Sequence, residues 1–272
     1  MRPRQLRNYR VRRLESLGAR VRRLWRRLSG GPYKAQRVYR VRVGEVDAKR
    51  IVVSHASEAK RLEASLDALR QTRLLPAVIA RYRNELWVEY LEGLPLPGAG
   101  PPPVAALAEL LGILYAQPSR CIEGQSRELA EPVERNLELL ERSGVIDSAC
   151  RSRLRDRADA WSPDRAWLGY DYLDLRRANL LEVDGGLRLI DVESVVSDEL
   201  LGTGAARAWL RWPGLERSAL LKALARPEVP DFGDYADFLE LRFLSRWTLR
   251  CLLQRKAHLV EPTLFQMLAQ RA

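Results

Sequence analysis

Residues 178 to 191, "ANLLEVDGGLRLID", leave the backbone little choice. Two apolar runs flank Asp184-Gly185-Gly186, and a Gly-rich turn between two such runs predicts a tight antiparallel hairpin. The ends of a short hairpin meet, so Asn179 and Asp191 are expected side by side although twelve positions separate them. Just upstream, "YLDLRR" puts Asp174 on the loop leading into the first strand, where it would face the same space. The competing reading is a surface turn whose polar groups are solvated.

Two acids and an amide so arranged suit one chemistry. Phosphoryl transfer asks little covalent work of a protein: a group to orient and deprotonate the acceptor hydroxyl, and ligands for a cation that neutralises phosphate charge. Oxygen donors suit magnesium. Asp174 is then the base, and Asn179 with Asp191 the metal pair.

The rest of the chain alternates between two periodicities. "RVYRVRV" and "RIVV" flank a short turn and predict a hairpin over residues 37–53, and "LLPAVIARYRNELWVEYLEG" (74–93) supplies two further strands around Arg-Asn-Glu. Between them, Ala59, Leu62, Leu66 and Leu69 recur at helical spacing. "LPLPGAGPPP" (94–103) is a connector, and from Val104 onward the pattern is helical apart from the hairpin already described. The expected class is α+β and bilobal: a small antiparallel-sheet N-lobe with one helix at 28–94, and a larger, mainly helical C-lobe at 95–272.

"YLDLRRANLLEVDGGLRLIDVE" resembles the catalytic segment of the protein-kinase-like superfamily, with its Asp-x-x-x-x-Asn loop followed by a metal-binding Asp. The resemblance is nearest to the small-molecule branch, of the aminoglycoside and choline phosphotransferase or lipopolysaccharide-core kinase type. It implies ATP and Mg²⁺ as cofactors, Asp174 as catalytic base, and Asn179 and Asp191 as metal ligands. Glu193, from the triplet Asp191-Val192-Glu193, would be a secondary metal or substrate contact. Arg176 would steady charge on the transferring group. "LWVEYLEGLPL" (86–96) is similar to the family's inter-lobe linker, which assigns Glu89 and Leu91 to the adenine edge with Val88 behind. A literal "DFG", Asp231 to Gly233, has no strand before it and is expected to be a turn.

The pattern departs from the family in three places. Where the family carries a phosphate-binding lysine on its third strand, "RIVVSH" is read as holding Ser54, so the helix glutamates Glu58 and Glu63 lack their partner. Lys34 is the first substitute, with Lys49, Arg50, Arg40 and Arg42 behind it. The nucleotide loop "SGGPYKAQ" has Gly30 and Gly31 but no G-x-G-x-x-G, so an ordinary connecting loop competes with a phosphate cover. Tyr172 replaces a histidine that is structural in the family.

Charge separates the first 27 residues from the remainder. They carry +10 of the net +11, leaving the body close to neutral. Leu14, Leu17, Val21, Leu24 and Leu28 recur at three and four, predicting a basic amphipathic helix over 1–27. Such a helix serves an anionic membrane surface, nucleic acid or a partner protein, or packs on its own domain. Three dispersed cysteines, no secretory leader and no spanning segment point to a cytoplasmic chain, with the basic helix allowing a peripheral place at the inner membrane face. The reading is a kinase acting on a small-molecule or lipid-linked sugar hydroxyl, such as a lipopolysaccharide-core sugar. A pseudokinase module and a nucleic-acid-binding protein or RNA-modifying kinase are the alternatives.

Overall fold

The structure, a computed structural model, describes residues 9–13, 37–43, 46–97, 100, 102–123 and 127–271. Its chain divides into two compact units, Met1–Pro97 with Arg177–Val195, and Gly98–Arg176 with Val196–Ala272.

The first unit is built on a five-stranded antiparallel sheet. Its strands are β1 (Tyr9–Arg13), β2 (Arg37–Val43), β3 (Val46–Val52), β4 (Val78–Tyr82) and β5 (Glu85–Glu89), in the order β1-β2-β3-β5-β4. Alternation sends Val41, Ala48 and Trp87 into one core cluster, closed by Tyr39, Ile79 and Ala80. Helix α1 (Ala56–Ala68) buries Ala59, Leu62 and Leu66 and packs on β4 and β5.

Strand β1 corrects part of the expected basic helix. Tyr9 lies opposite Val43 and Arg13 opposite Tyr39, so residues 9–13 extend the sheet. "YRVRR" carries period two as well as period 3.6, and pairing covers the otherwise open edge of β2. The leucine stripe from Leu14 to Leu28, together with Gly30, Gly31 and Lys34, lies outside the described residues.

The predicted hairpin forms as β9 (Leu180–Val183) and β10 (Gly186–Leu189), with Leu180 opposite Leu189. Asp184 and Gly185 have φ of 51° and 80°, the positive pair that a two-residue type I′ turn demands. This hairpin belongs to the first unit, which corrects the expected boundary at residue 95. Strand β6 (Leu94–Pro95) pairs with β9, the Leu189 N–H donates to the Leu74 carbonyl at 2.8 Å, and the Arg188 guanidinium donates to the Leu75 carbonyl at 3.1 Å. The hairpin's edge groups find their partners there.

The second unit is mainly helical: α2 (Val104–Tyr115), α3 (Arg127–Arg142), α4 (Ser148–Trp161), α5 (Thr203–Arg211), α6 (Arg217–Leu224), α7 (Ala236–Leu253) and α8 (Pro262–Gln270). Helix α2 is the apolar run read as a core helix, with Leu107, Leu110, Leu111 and Leu114 buried. The Asp147 carboxylate caps α4 by accepting the Cys150 N–H at 2.6 Å. Helix α7 packs on α3 and α5. A three-stranded sheet of β7 (Arg120–Glu123), β8 (Arg165–Tyr172) and β11 (Val195–Leu200) was not expected. Its central strand, "RAWLGYDY", is buried on both faces, which erases the alternation that marks a strand.

Asp231 to Gly233 form the expected turn, the Asp231 carboxylate accepting the Gly233 N–H at 2.9 Å. Among the described residues no helix is long and apolar enough to cross a membrane. Cys121, Cys150 and Cys251 are free thiols, the last two buried.

The closest backbone approach in the second unit is at Gly204, where an added Cβ would lie within 2.6 Å of Asp171 Oδ1 and of the Tyr172 carbonyl oxygen. Gly204→Ala is therefore expected to destabilise the protein by about 2–3 kcal/mol in urea unfolding.

Candidate active site

The two ends of the β9–β10 hairpin meet, as its turn predicts. The Ile190 N–H donates to the Asn179 carbonyl at 3.1 Å, which sets Asn179 beside the Ile190–Asp191 backbone. Asn179 is buried in a 3-10 turn, Arg177–Asn179, and Asp191 is half-buried, its Oδ2 accepting the Ser194 hydroxyl at 3.3 Å. Glu193 follows in the turn Val192–Ser194. Among the described residues no three His, Cys, Asp or Glu side chains converge on one point. An amide and a carboxylate still fit Mg²⁺, which keeps waters and phosphate oxygens and takes one or two protein ligands.

A cation stands next to this pair, Lys49, one of the substitutes named for the third-strand lysine. Strand β3 ends at Val52, so Ser54 lies beyond it, exposed, with its N–H donating to the Glu58 carboxylate at 3.2 Å. Lys49, mid-strand, donates from Nζ to the Ile190 carbonyl at 2.6 Å, one residue before Asp191. No described carboxylate forms an ion pair with Lys49. Glu63 is bound by Arg81, and Arg50 by Glu85. Arg40 is held by Asp47 and Glu92, whose combined pull raises the guanidinium's already high proton affinity.

Lys49 lines a pocket of about 410 Å³ together with Arg40, Glu89, Leu91, Leu181 and Ile190. The two residues assigned to the adenine edge are thus in its wall, and Val88 is fully buried behind.

In the second unit, Asp174 lies two residues beyond β8. Its carboxylate is gripped from two sides, by Arg176 at 2.7 Å and Arg207 at 2.8 Å. Arg176 is half-exposed. Arg207, on α5, is buried and stacks over the Trp247 ring at 4.9 Å. The Trp212 indole N–H donates to the Leu175 carbonyl at 3.1 Å, holding the loop between the two.

Behind the loop sits a group that sequence reasoning missed. Asp171 is fully buried and accepts three hydrogen bonds: from the Tyr172 N–H (2.6 Å) and Tyr115 hydroxyl (3.1 Å) at Oδ1, and from the Gly204 N–H (3.1 Å) at Oδ2. Burial raises its carboxyl to about 7 against the opposing effect of those donors. Arg207 was also missed, although an arginine amid the small and apolar residues of "TGAARAWLR" signals a buried cation that needs an anion.

No family model matches the sequence, and no curated protein matches it. Solved structures do match in fold. A choline kinase from Streptococcus pneumoniae superposes with a TM-score of 0.62 at 12% identity, over 96% of this chain and 91% of that one. The chain shares the protein-kinase-like fold of these structures. A putative fructosamine-3-kinase from Thermobifida fusca gives 0.63 at 16% identity, covering 89% of this chain and 92% of that one. A macrolide 2'-phosphotransferase from Brachybacterium faecium gives 0.59 at 16% identity, over 92% and 96% respectively. Within this kinase-like fold, the bilobal α+β class expected from the sequence is observed.

Asp171 generates a pH dependence with a definite sign. The unfolded carboxyl releases its proton near pH 4 and the folded one near pH 7, so between these values the native state holds the extra proton. Stability from this group is therefore present at low pH and lost as pH rises through the window. Unfolding in urea at pH 5 and pH 8 is expected to differ on the order of 2 kcal/mol more for the wild type than for Asp171→Asn.

Proposed function

We propose that the protein is an ATP- and Mg²⁺-dependent phosphotransferase that moves the γ-phosphoryl group to a hydroxyl of a non-protein small molecule. The observation that carries this is the clustering at the hairpin base. The Asn179 carbonyl bonds the Ile190 N–H while the Ile190 carbonyl accepts from Lys49, setting an amide, a carboxylate and an ammonium around one dipeptide. Solved structures of the same fold include macrolide and aminoglycoside phosphotransferases and choline and ethanolamine kinases.

In this reading the chain's residues divide the work by charge. Asn179 and Asp191 hold Mg²⁺, with Glu193 as a secondary contact; the ion supplies neutralisation of phosphate charge. Lys49 presents its ammonium to phosphate oxygens as a mobile point charge, the part first assigned to Lys34. Glu89 and Leu91 offer backbone groups to the adenine edge. Asp174 accepts the acceptor's hydroxyl proton as its oxygen bonds the γ-phosphorus and the bridging P–O bond breaks, releasing ADP. Arg176 and Arg207 hold the Asp174 carboxylate in one orientation, which favours a positioned near-attack geometry. A lipopolysaccharide-core sugar hydroxyl is compatible with this reaction. Lys49 beside the Ile190 carbonyl supports the active reading over the pseudokinase alternative.

Calorimetric titration with ATP tests the reading. Binding is expected to require Mg²⁺, to be lost in Asp191→Asn, and to weaken about ten-fold or more in Lys49→Met. Ser54→Ala is expected to bind as the wild type does. Binding that ignores Mg²⁺ and survives Asp191→Asn would refute the metal assignment.

A further inference from the structure

Helix α5 meets the segment around Asp174 at three successive places. In its first turn the Gly204 N–H donates to Asp171 Oδ2 at 3.1 Å. Three residues further along both partners, Arg207 grips Asp174 at 2.8 Å. Just past the helix end, the Trp212 indole N–H donates to the Leu175 carbonyl at 3.1 Å. Strand β8 and the loop after it are thus fastened along α5 in one register.

These fastenings differ in slack. Arg207 and Trp212 reach the loop through long or bulky side chains with rotamer freedom, so each can follow its partner over a range of positions. At Asp171 both backbone groups are fixed: Oδ2 takes an N–H of the helix, and Oδ1 takes the N–H of the adjoining Tyr172 at 2.6 Å. The carboxylate between them is fully buried. An added Cβ at Gly204 would lie 2.4 Å from the Tyr172 carbonyl oxygen, so helix and strand are already in close contact there. The register is set at Asp171, and Asp174 takes its place three residues later.

We propose that Asp171 is a positioning residue of the candidate active site, its tie to the Gly204 N–H holding Asp174 where it receives the acceptor's hydroxyl proton. This rests on the phosphotransferase reading, in which Asp174 is the base. The strength of the tie follows charge, because an ionised carboxylate accepts a hydrogen bond more strongly than a protonated one. Burial is the largest influence raising the carboxyl, to about 7, so the tie tightens as pH rises through neutrality. The groups facing it keep their charge there. Tyr115 on α2 and Tyr235 ahead of α7 are raised by burial and stay protonated. Burial would raise Glu199 on β11 as well, but the Arg242 and Arg246 guanidiniums outweigh it and keep Glu199 ionised.

The test uses the full chain labelled with fluorotryptophan. Fluorine NMR follows the Trp212 resonance, identified by its loss in Trp212→Phe, across neutral pH. A shift with its midpoint at about 7 is expected in the wild type, and none in Asp171→Asn. The Asn carbonyl still accepts from Tyr172 and Tyr115, but its NH₂ turns a donor on the Gly204 N–H and severs that bond alone. Hydrolysis of Mg-ATP with water as acceptor reads the catalytic side. Asp171→Asn is expected to lower kcat about ten-fold or more, leave the KM for ATP unchanged and lose the rise of kcat through neutrality. Tyr115→Phe removes a bond to the same carboxylate without touching the tie to α5, and should keep kcat within about two-fold. A wild-type Trp212 resonance that does not titrate, an unchanged kcat in Asp171→Asn, or an equal loss in Tyr115→Phe would overturn the proposal. If Asp171→Asn does not fold, the wild-type titration and Tyr115→Phe still decide it. A wild type that neither binds nor hydrolyses ATP refutes the phosphotransferase reading, and the Trp212 titration then judges the tie by itself.

Discussion

The Asp171 carboxylate is where the second unit is tied together. It receives a backbone N–H from the end of β8, another from the first turn of α5, and a phenol from the last turn of α2. An ionised carboxylate without water is costly, and the three donors repay part of that cost. The same bonds set the distance between β8 and α5. That distance matters because Asp174 follows β8 and Arg207 rides on α5, so their ion pair is fixed by a joint neither of them makes. Gly204 is the price of the arrangement, since no side chain fits between helix and strand there.

The two units use charge differently. In the first, several basic side chains are matched: Arg40 with Asp47 and Glu92, Arg50 with Glu85, Arg81 with Glu63. Lys49 stands apart, bonded to a neutral carbonyl, which leaves its full charge for a phosphate. In the second unit the pairs Arg242 and Arg246 with Glu199, and Arg217 and Arg271 with Glu240, neutralise buried acids at a distance from the loop.

Much of the architecture was legible because it is encoded over short distances. The β2–β3 and β4–β5 hairpins, helix α1 and the Asp184-Gly185 turn each follow from a period or a turn residue within a dozen positions. The Asn179–Asp191 neighbourhood follows as well, since a hairpin's ends meet by construction. Legibility failed where burial removed the period, as in β8, or where a segment satisfied two periods, as in "YRVRR". The end of β3 was not legible either, because strand ends are set by where pairing stops, and nothing local in "RIVVSH" marks Val52 as the last residue.

By itself, then, the sequence determined the local parts: which stretches alternate, where the chain turns, and that an acid, an amide and a second acid fall on one loop and hairpin. Turn geometry and side-chain period act within a few residues, so they survive without knowledge of the rest. Only the tertiary structure decided that Lys49 meets the Ile190 carbonyl, that Arg207 grips Asp174, and that residues 177–195 pack with the sheet rather than with the helices. Those pairings join positions 141 and 33 residues apart in the first two cases, and they exist because packing brings distant elements within bonding range of one another.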